Sequence, residues 1–182
     1  MKIKKVLTGL FSIILVALLA LLAYIIIEGI NPTEKGLELL KEGKYTSAIT
    51  KFEQAIDKDI NIADAYRGIG IAKFEQEDYS GAKDAFTTAL SKGAEESAAI
   101  YNFLALIAQK ENDVDAAIAN YTKGLSIEGA SDDLKKEMLA NLAVSYENIR
   151  DYENARETLR LYLELVPDDT SAKKELDFLE TR

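Results

Sequence analysis

The sequence predicts an all-α fold that is built from repeated pairs of antiparallel helices. The composition favours helices because Ala, Leu, Glu and Lys, all strong helix formers, dominate a chain of 182 residues with only two Pro. The segment GKYTSAITKFEQA at residues 43–55 also returns three more times in the same frame. Successive copies are spaced by 34, 35 and 38 residues. A period in that range is typical of a helical solenoid.

The first predicted element is a basic start at residues 1–5, followed by an uncharged apolar run at residues 6–27. As a helix this run would be about 33 Å long, which matches a hydrocarbon core of about 30 Å. We therefore expect a single transmembrane signal-anchor helix. A cleaved signal peptide is the rival interpretation. The run is longer than the usual apolar core of such a peptide, and its end lacks a small-x-small cleavage site.

The charges on either side of this run predict its orientation. Lys2, Lys4 and Lys5 precede the run, and Glu28 follows it. The positive-inside rule then places the amino terminus in the cytoplasm and the rest of the chain on the extracytoplasmic side of a membrane that we expect to be bacterial. A short linker at residues 28–31 ends in Asn31, which we expect to cap a helix. The following domain would be held close to the bilayer surface.

Each copy of the repeat alternates large and small residues at helical spacing. The first large position holds Tyr45, Tyr79, Val114 and Tyr152, and the second holds Phe52, Phe86, Tyr121 and Leu159. The small position between them holds Ala48, Ala82, Ala117 and Ala155. The two large positions are seven residues apart and therefore share one helix face. We interpret the large residues as packing knobs and the Ala positions as sites where a neighbouring helix approaches closely.

A second helix is predicted before each copy, with its own small residue. That position holds Gly36, Gly70, Ala105 and Ala143. Short polar turns such as Glu77-Asp78 join the two helices of each pair, as expected for antiparallel neighbours. The joint before the last pair is longer. It predicts an extended helix that begins near Ser131 or Asp132 and reaches about Asn148. The joint either alters the local superhelical pitch or is a tolerated insertion.

This frame closely resembles the tetratricopeptide repeat (TPR) over residues 32–169, with Pro167 where that repeat has its terminal Pro. The resemblance implies a right-handed superhelical solenoid of about four TPR units. The remaining segment, residues 170–182, contains Leu176, Phe178 and Leu179 among charged residues. We expect it to form a C-terminal capping helix that covers the last repeat.

The sequence offers little for catalysis or for metal binding. The chain has neither His nor Cys, so it lacks the most common general base and a thiolate nucleophile. The order Asp57-x-Asp59-x-Asn61 imitates the start of a calcium loop, but Ile62 and Gly68 stand where that loop needs Gly and Glu. All 31 acidic residues and all but three of the 22 basic ones lie after residue 27, which argues against nucleic-acid binding. We expect no enzyme, no cofactor, no metal and no nucleic-acid partner.

The resemblance places the first helices of the pairs along a concave groove. The residues predicted to line it are Arg67, Ile71, Phe74, Asn102, Phe103, Leu106, Asn141 and Val144. Four of these, Ile71, Phe103, Leu106 and Val144, are expected to form an apolar strip, and the two Asn supply amides that can hold a peptide backbone. The alternative for each residue is that it packs against a neighbouring helix.

Chaperone-binding members of the family clamp a terminal carboxylate with Lys, Asn and Arg. At the matching phases this sequence has mostly non-basic residues, such as Leu37, Phe103 and Glu137, so a carboxylate clamp is not predicted. The leading hypothesis is a membrane-anchored adaptor that binds a protein or peptide segment in the groove. The alternatives are a structural, self-associating envelope protein and an accessory subunit of a membrane complex.

Overall fold

The computed structural model describes residues 14–19 and residues 31–182. Residues 14–19 are helical, and their apolar side chains are exposed. Within the described ranges, no helix is both long enough and apolar enough to cross a membrane. Apart from residues 14–19, the predicted basic start at residues 1–5 and the predicted anchor at residues 6–27 lie outside the described residues. The anchor therefore stays a prediction.

From residue 31 onward the described chain forms nine α-helices, which we number in chain order. They are α1 (Pro32–Lys41), α2 (Tyr45–Asp57), α3 (Ile62–Glu75), α4 (Tyr79–Ser91), α5 (Ala98–Lys110), α6 (Val114–Leu125), α7 (Asp132–Asn148), α8 (Tyr152–Leu165) and α9 (Thr170–Glu180). The first eight form four consecutive pairs, and α9 follows alone. No strand occurs among the described residues. The predicted all-α fold of repeated helix pairs is confirmed.

The turn inside each pair repeats the same backbone conformation. One residue of each turn has a left-handed φ, and these residues are Gly43 (70°), Glu77 (62°), Asn112 (59°) and Arg150 (63°). A left-handed residue just after a helix is a common way to end it. In the last three pairs the next residue is an Asp whose side chain accepts from a backbone N–H of the following helix. Local chemistry thus stops one helix and starts its partner within two residues.

The small residues and the second large residues of the repeat pack as the sequence predicts, whereas the first large position is only partly buried in all four repeats. Ala48, Phe52 and Ala55 on α2 are fully buried. A Cβ added at Gly36 on α1 would lie 2.5 Å from Phe52 Cε1, and one added at Gly68 on α3 would lie 2.5 Å from Phe52 Cε2. The two flanking helices therefore approach the Phe52 ring to a distance that only Gly allows. The role of Gly68 was not predicted.

The C-terminal part of the chain is also organised as expected. Helix α7 is capped by Ser131, whose Oγ accepts from Leu134 N at 3.3 Å, and it extends to Asn148. A further helix, α9, is present within residues 170–182. Its Leu179 is buried in a cluster with Ala155 and Leu159 of α8. Phe178, by contrast, is 48% exposed, so it does not belong to this cap contact.

Candidate partner-binding groove

The helix contacts identify the inner face of the solenoid. The first helices of successive pairs contact one another, because α1 touches α3, α3 touches α5 and α5 touches α7. Among the described helices, no two second helices come within contact distance of each other. An array whose first helices are closer together than its second helices must curve toward the first helices. The concave face is therefore lined by α1, α3, α5 and α7, as the groove prediction requires.

A line of apolar residues runs across these four helices at one equivalent position. We call this set the apolar strip, and it consists of Leu37, Ile71, Leu106 and Val144. Each residue directly follows the small packing residue of its helix. Leu37 is 39% exposed, Val144 is 52% exposed, and the two residues between them are partly buried. The strip agrees with the predicted one at three positions, and Leu37 extends it to the first pair.

The structure places the two predicted Phe residues differently. The Phe103 ring stacks on Phe86 of α4, with centroids 5.2 Å apart, and meets Phe74 edge-on at 5.1 Å. Phe74 in turn meets Tyr79 edge-on at 5.6 Å. These rings connect α3, α4 and α5, so Phe103 belongs to the packing between repeats and not to the apolar strip. A partner contact by either Phe residue stays a prediction.

Asn102 lies at the groove face of α5 but is only 6% exposed. Its Nδ2 donates to Glu137 Oε1 on α7 at 3.0 Å. The amide nitrogen, which was predicted to bind a peptide backbone, therefore already has a hydrogen-bond partner within the chain. Its Oδ1 is buried and accepts no hydrogen bond from any described residue. A buried acceptor without a donor costs about 1–3 kcal/mol of stability. Glu137 was not among the predicted groove residues. It lies 35 residues after Asn102, whereas the repeat spacing at this joint is 38, so the repeat pattern does not signal this contact.

Asn141 lies near a polar network that joins α5, α6 and α7. The buried Tyr121 hydroxyl donates to Gln109 Oε1 at 3.0 Å, and Gln109 Nε2 donates to Ser145 Oγ at 3.3 Å. Ser145 Oγ donates to the Asn141 backbone carbonyl at 2.8 Å. Burial first, and then the Glu137 carboxylate, raises the pKa of Tyr121 above its usual value, so its hydroxyl remains a donor. Asn141 itself is partly buried at the inner face.

Arg67 on α3 is half exposed and pairs with Asp64, with 2.9 Å between Arg67 Nη2 and Asp64 Oδ1. Its positive charge is therefore compensated one turn away on the same helix. Farther along the groove, Glu147 on α7 approaches Glu175 on α9. Burial first, and then this second carboxyl, raises the pKa of Glu147. The described residues contain no cluster of carboxylates that could hold a metal ion.

Comparison with known families decides what this array of helices is. Sequence profiles of the tetratricopeptide repeat match residues 33–72, 67–133 and 136–169. The chain belongs to the tetratricopeptide repeat family. The matches span α1 to α8, so all four helix pairs lie within the TPR region. No curated protein sequence matches the chain.

Solved structures show the same TPR fold. YrrB, described as a TPR protein with an unusual peptide-binding site, superposes with a TM-score of 0.72 at 20% identity, covering 84% of this chain and 76% of YrrB. MamA from AMB-1 superposes with a TM-score of 0.68 at 19% identity, covering 84% of this chain and 81% of MamA. PilF of Pseudomonas aeruginosa gives 0.64 at 17% identity, covering 81% of this chain and 65% of PilF. At these identities the similarity concerns the fold.

Proposed function

We propose that this chain is a membrane-anchored TPR adaptor that binds a segment of a partner protein in its concave groove. In this proposal residues 6–27 cross the membrane, the amino terminus is cytoplasmic, and the TPR domain faces the extracytoplasmic side of a bacterial membrane. The protein acts by binding and carries out no catalysis. Binding to a TPR groove requires only shape, apolar surface and hydrogen-bonding groups, all of which the inner face supplies.

The observation that carries the proposal is the exposed apolar strip. Packing requires the small residue at each repeat. The next residue packs against the core in the second pair, where Ile71 lies against the Phe86 cluster, but at the two ends of the strip it is exposed and need not be apolar for folding. Val144 nevertheless leaves 52% of its surface in solvent, and Leu37 leaves 39%. Single exposed apolar residues are ordinary. A row of apolar residues at the same repeat position of four helices, in contrast, indicates a surface that another chain covers. YrrB, a TPR protein with an unusual peptide-binding site, is an example of this use of the fold.

Site-specific photocrosslinking in the native membrane tests the groove. A photoreactive amino acid at position 144 should crosslink to a defined protein, and Val144→Asp should abolish recovery of that protein. Leu161 on the outer helix α8 provides the matched control, because it is also an exposed aliphatic residue, at 46%. It receives the same photoreactive amino acid and the same change to Asp. Crosslinking from position 161 but not from position 144 would overturn the groove assignment.

Two measurements test the proposed membrane attachment. Protease added to right-side-out vesicles should digest the TPR domain, and a protected domain would overturn the orientation. The intact mass of the protein recovered from membranes should include residues 1–27. A mass that lacks them would favour the cleaved signal peptide and remove the anchor from the proposal.

A further inference from the structure

The part of the groove formed by α7 and its neighbours contains carboxylates that form no ion pair with the described residues. Glu137 and Glu147 on α7, and Glu175 on α9, form no ion pair with any described residue. The nearby cation of α5, Lys110, lies over the Tyr79 ring at 5.9 Å. Val144 lies between Glu137 and Glu147 on α7. This end of the groove therefore combines an exposed apolar side chain with carboxylates on both sides.

The orphan acceptor of Asn102 is an independent observation at the same place. Because the Asn102 Nδ2 donates to Glu137 Oε1, the Oδ1 is the part of the amide that is left to accept, and it has no donor among the described residues. Both acceptors, the Asn102 Oδ1 and the Glu137 carboxylate, belong to one hydrogen-bonded pair that bridges α5 and α7. A group that satisfies them together must bring several N–H donors to one point.

We propose that the groove binds a partner segment that carries Arg or Lys beside aliphatic side chains. The cation is held by the Glu137 carboxylate and the Asn102 Oδ1, and the aliphatic side chains lie on Leu106 and Val144. This inference rests on the proposed adaptor function and specifies the chemistry of its partner. It assigns the groove a charge preference opposite to that of a carboxylate clamp.

The chemistry of the two acceptors favours a cation over other donors. An ammonium carries three N–H donors and a guanidinium carries five, so either can bond to a carboxylate and to an amide oxygen at once. Glu137 precedes Val144 by seven residues, a separation of about 10 Å along the helix, which about three residues of an extended peptide span. The acidic charge of the TPR region also attracts basic segments and slows the approach of acidic ones.

Glu137 must move for the cation to reach the buried Asn102 oxygen. Its side chain is exposed, and the bond to Asn102 Nδ2 is its only hydrogen bond to a described residue. Exposed side chains change rotamer within nanoseconds, so this movement does not limit binding. The incoming donor supplies the hydrogen bond that Asn102 Oδ1 lacks in the free protein.

A selection with random peptides tests this partner chemistry. The full-length chain is immobilised and used to select from a displayed library of random peptides. The best binder is then measured by fluorescence anisotropy against wild type, Glu137→Gln and Glu157→Gln. Glu157 is the matched control because it is exposed on α8 and loses the same charge away from the groove. Circular dichroism melts of all three proteins verify that each is folded.

The expected peptides are enriched in Arg or Lys next to aliphatic residues. Glu137→Gln should weaken the best of them about tenfold, whereas Glu157→Gln should change its affinity by less than about twofold. Neutral or acidic peptides, no enriched peptide, or equal losses in the two variants would each overturn the inference. If position 144 still crosslinks a native partner in such a case, the adaptor function stands and only the charge preference fails. If no native partner crosslinks there, the adaptor function itself fails.

Discussion

The contact between Gly68 and the Phe52 ring makes a quantitative prediction about how the repeats are packed. Replacing Gly by Ala inside a helix normally stabilises a protein by about 1 kcal/mol, because Ala has the higher helix propensity. At Gly68 the new Cβ would lie 2.5 Å from Phe52 Cε2 and 2.6 Å from Cε1. These distances are far inside the optimal carbon separation of about 3.5–4.0 Å.

The ring has little room to retreat, because it is in equally close contact with Gly36. Overpacking in a core costs about 1–3 kcal/mol, and this deep overlap belongs at the upper end of that range. After the gain in helix propensity is subtracted, Gly68→Ala should lower the free energy of unfolding by about 2 kcal/mol. In a Phe52→Leu background the ring is gone, so the same Gly68→Ala change should be neutral or stabilising.

A double-mutant cycle measures this coupling. Urea denaturation followed by circular dichroism gives the free energy of unfolding of wild type, both single variants and the double variant. The expected interaction energy is about 2–3 kcal/mol in favour of the double variant. Gly70→Ala is the control, because its new Cβ would meet the Phe86 ring and not Phe52, so its effect should add to that of Phe52→Leu. Additive effects of Gly68→Ala and Phe52→Leu would refute the assigned contact.

Three further outcomes follow from the same structure. Asn102→Leu removes both the buried unpaired Oδ1 and the hydrogen bond that Nδ2 donates to the exposed Glu137. Stability should therefore change by less than about 1 kcal/mol while peptide binding is lost. A large fall in melting temperature would contradict this. Glu147→Gln should raise stability at neutral pH by a few tenths of a kcal/mol, roughly. The raised pKa of Glu147 makes the folded wild type less stable as pH rises above the unfolded value of 4.5, so the difference should vanish below that pH. Leu179→Ala should lower the free energy of unfolding by about 2–5 kcal/mol and speed hydrogen exchange in α8, because Leu179 is buried against that helix. Unchanged exchange would show that α9 does not cap the last repeat.

The sequence was sufficient to predict the fold because the packing residues recur in phase. The small residues Gly36 and Gly70 lie against Phe52 and Phe86 as their spacing predicts. The positions of the turns were predicted, but their backbone conformation was not. Glu77 adopts a left-handed φ of 62°, which L residues other than Asn and Asp rarely do, so nothing in its residue type signals the turn.

The groove was predicted less completely, for reasons that concern side-chain direction. Phe103 and Leu106 are three residues apart on α5 and close to the border between the core and the groove. Whether a ring at that border turns inward depends on the size of its neighbours, and here Phe86 and Phe74 provide an aromatic surface for it. The bond between Asn102 and Glu137 depends on two rotamers that no periodic pattern specifies. Leu37, however, could have been assigned to the strip from its phase alone.

Two adjacent positions in each repeat differ in what packing demands of them, and this difference favours a binding groove. The small residue before each strip residue is fixed by packing, since Ala105 and Ala143 are buried and a Cβ at Gly36 would overlap a ring. The exposed strip residues, Leu37 and Val144, are under no such constraint, and a polar residue at either position would be better solvated. Yet all four repeats place Leu, Ile or Val at the strip position. Because folding does not require the exposed Leu37 and Val144 to be apolar, we infer that binding does, and the unpaired carboxylates beside Val144 then define which partners the strip accepts.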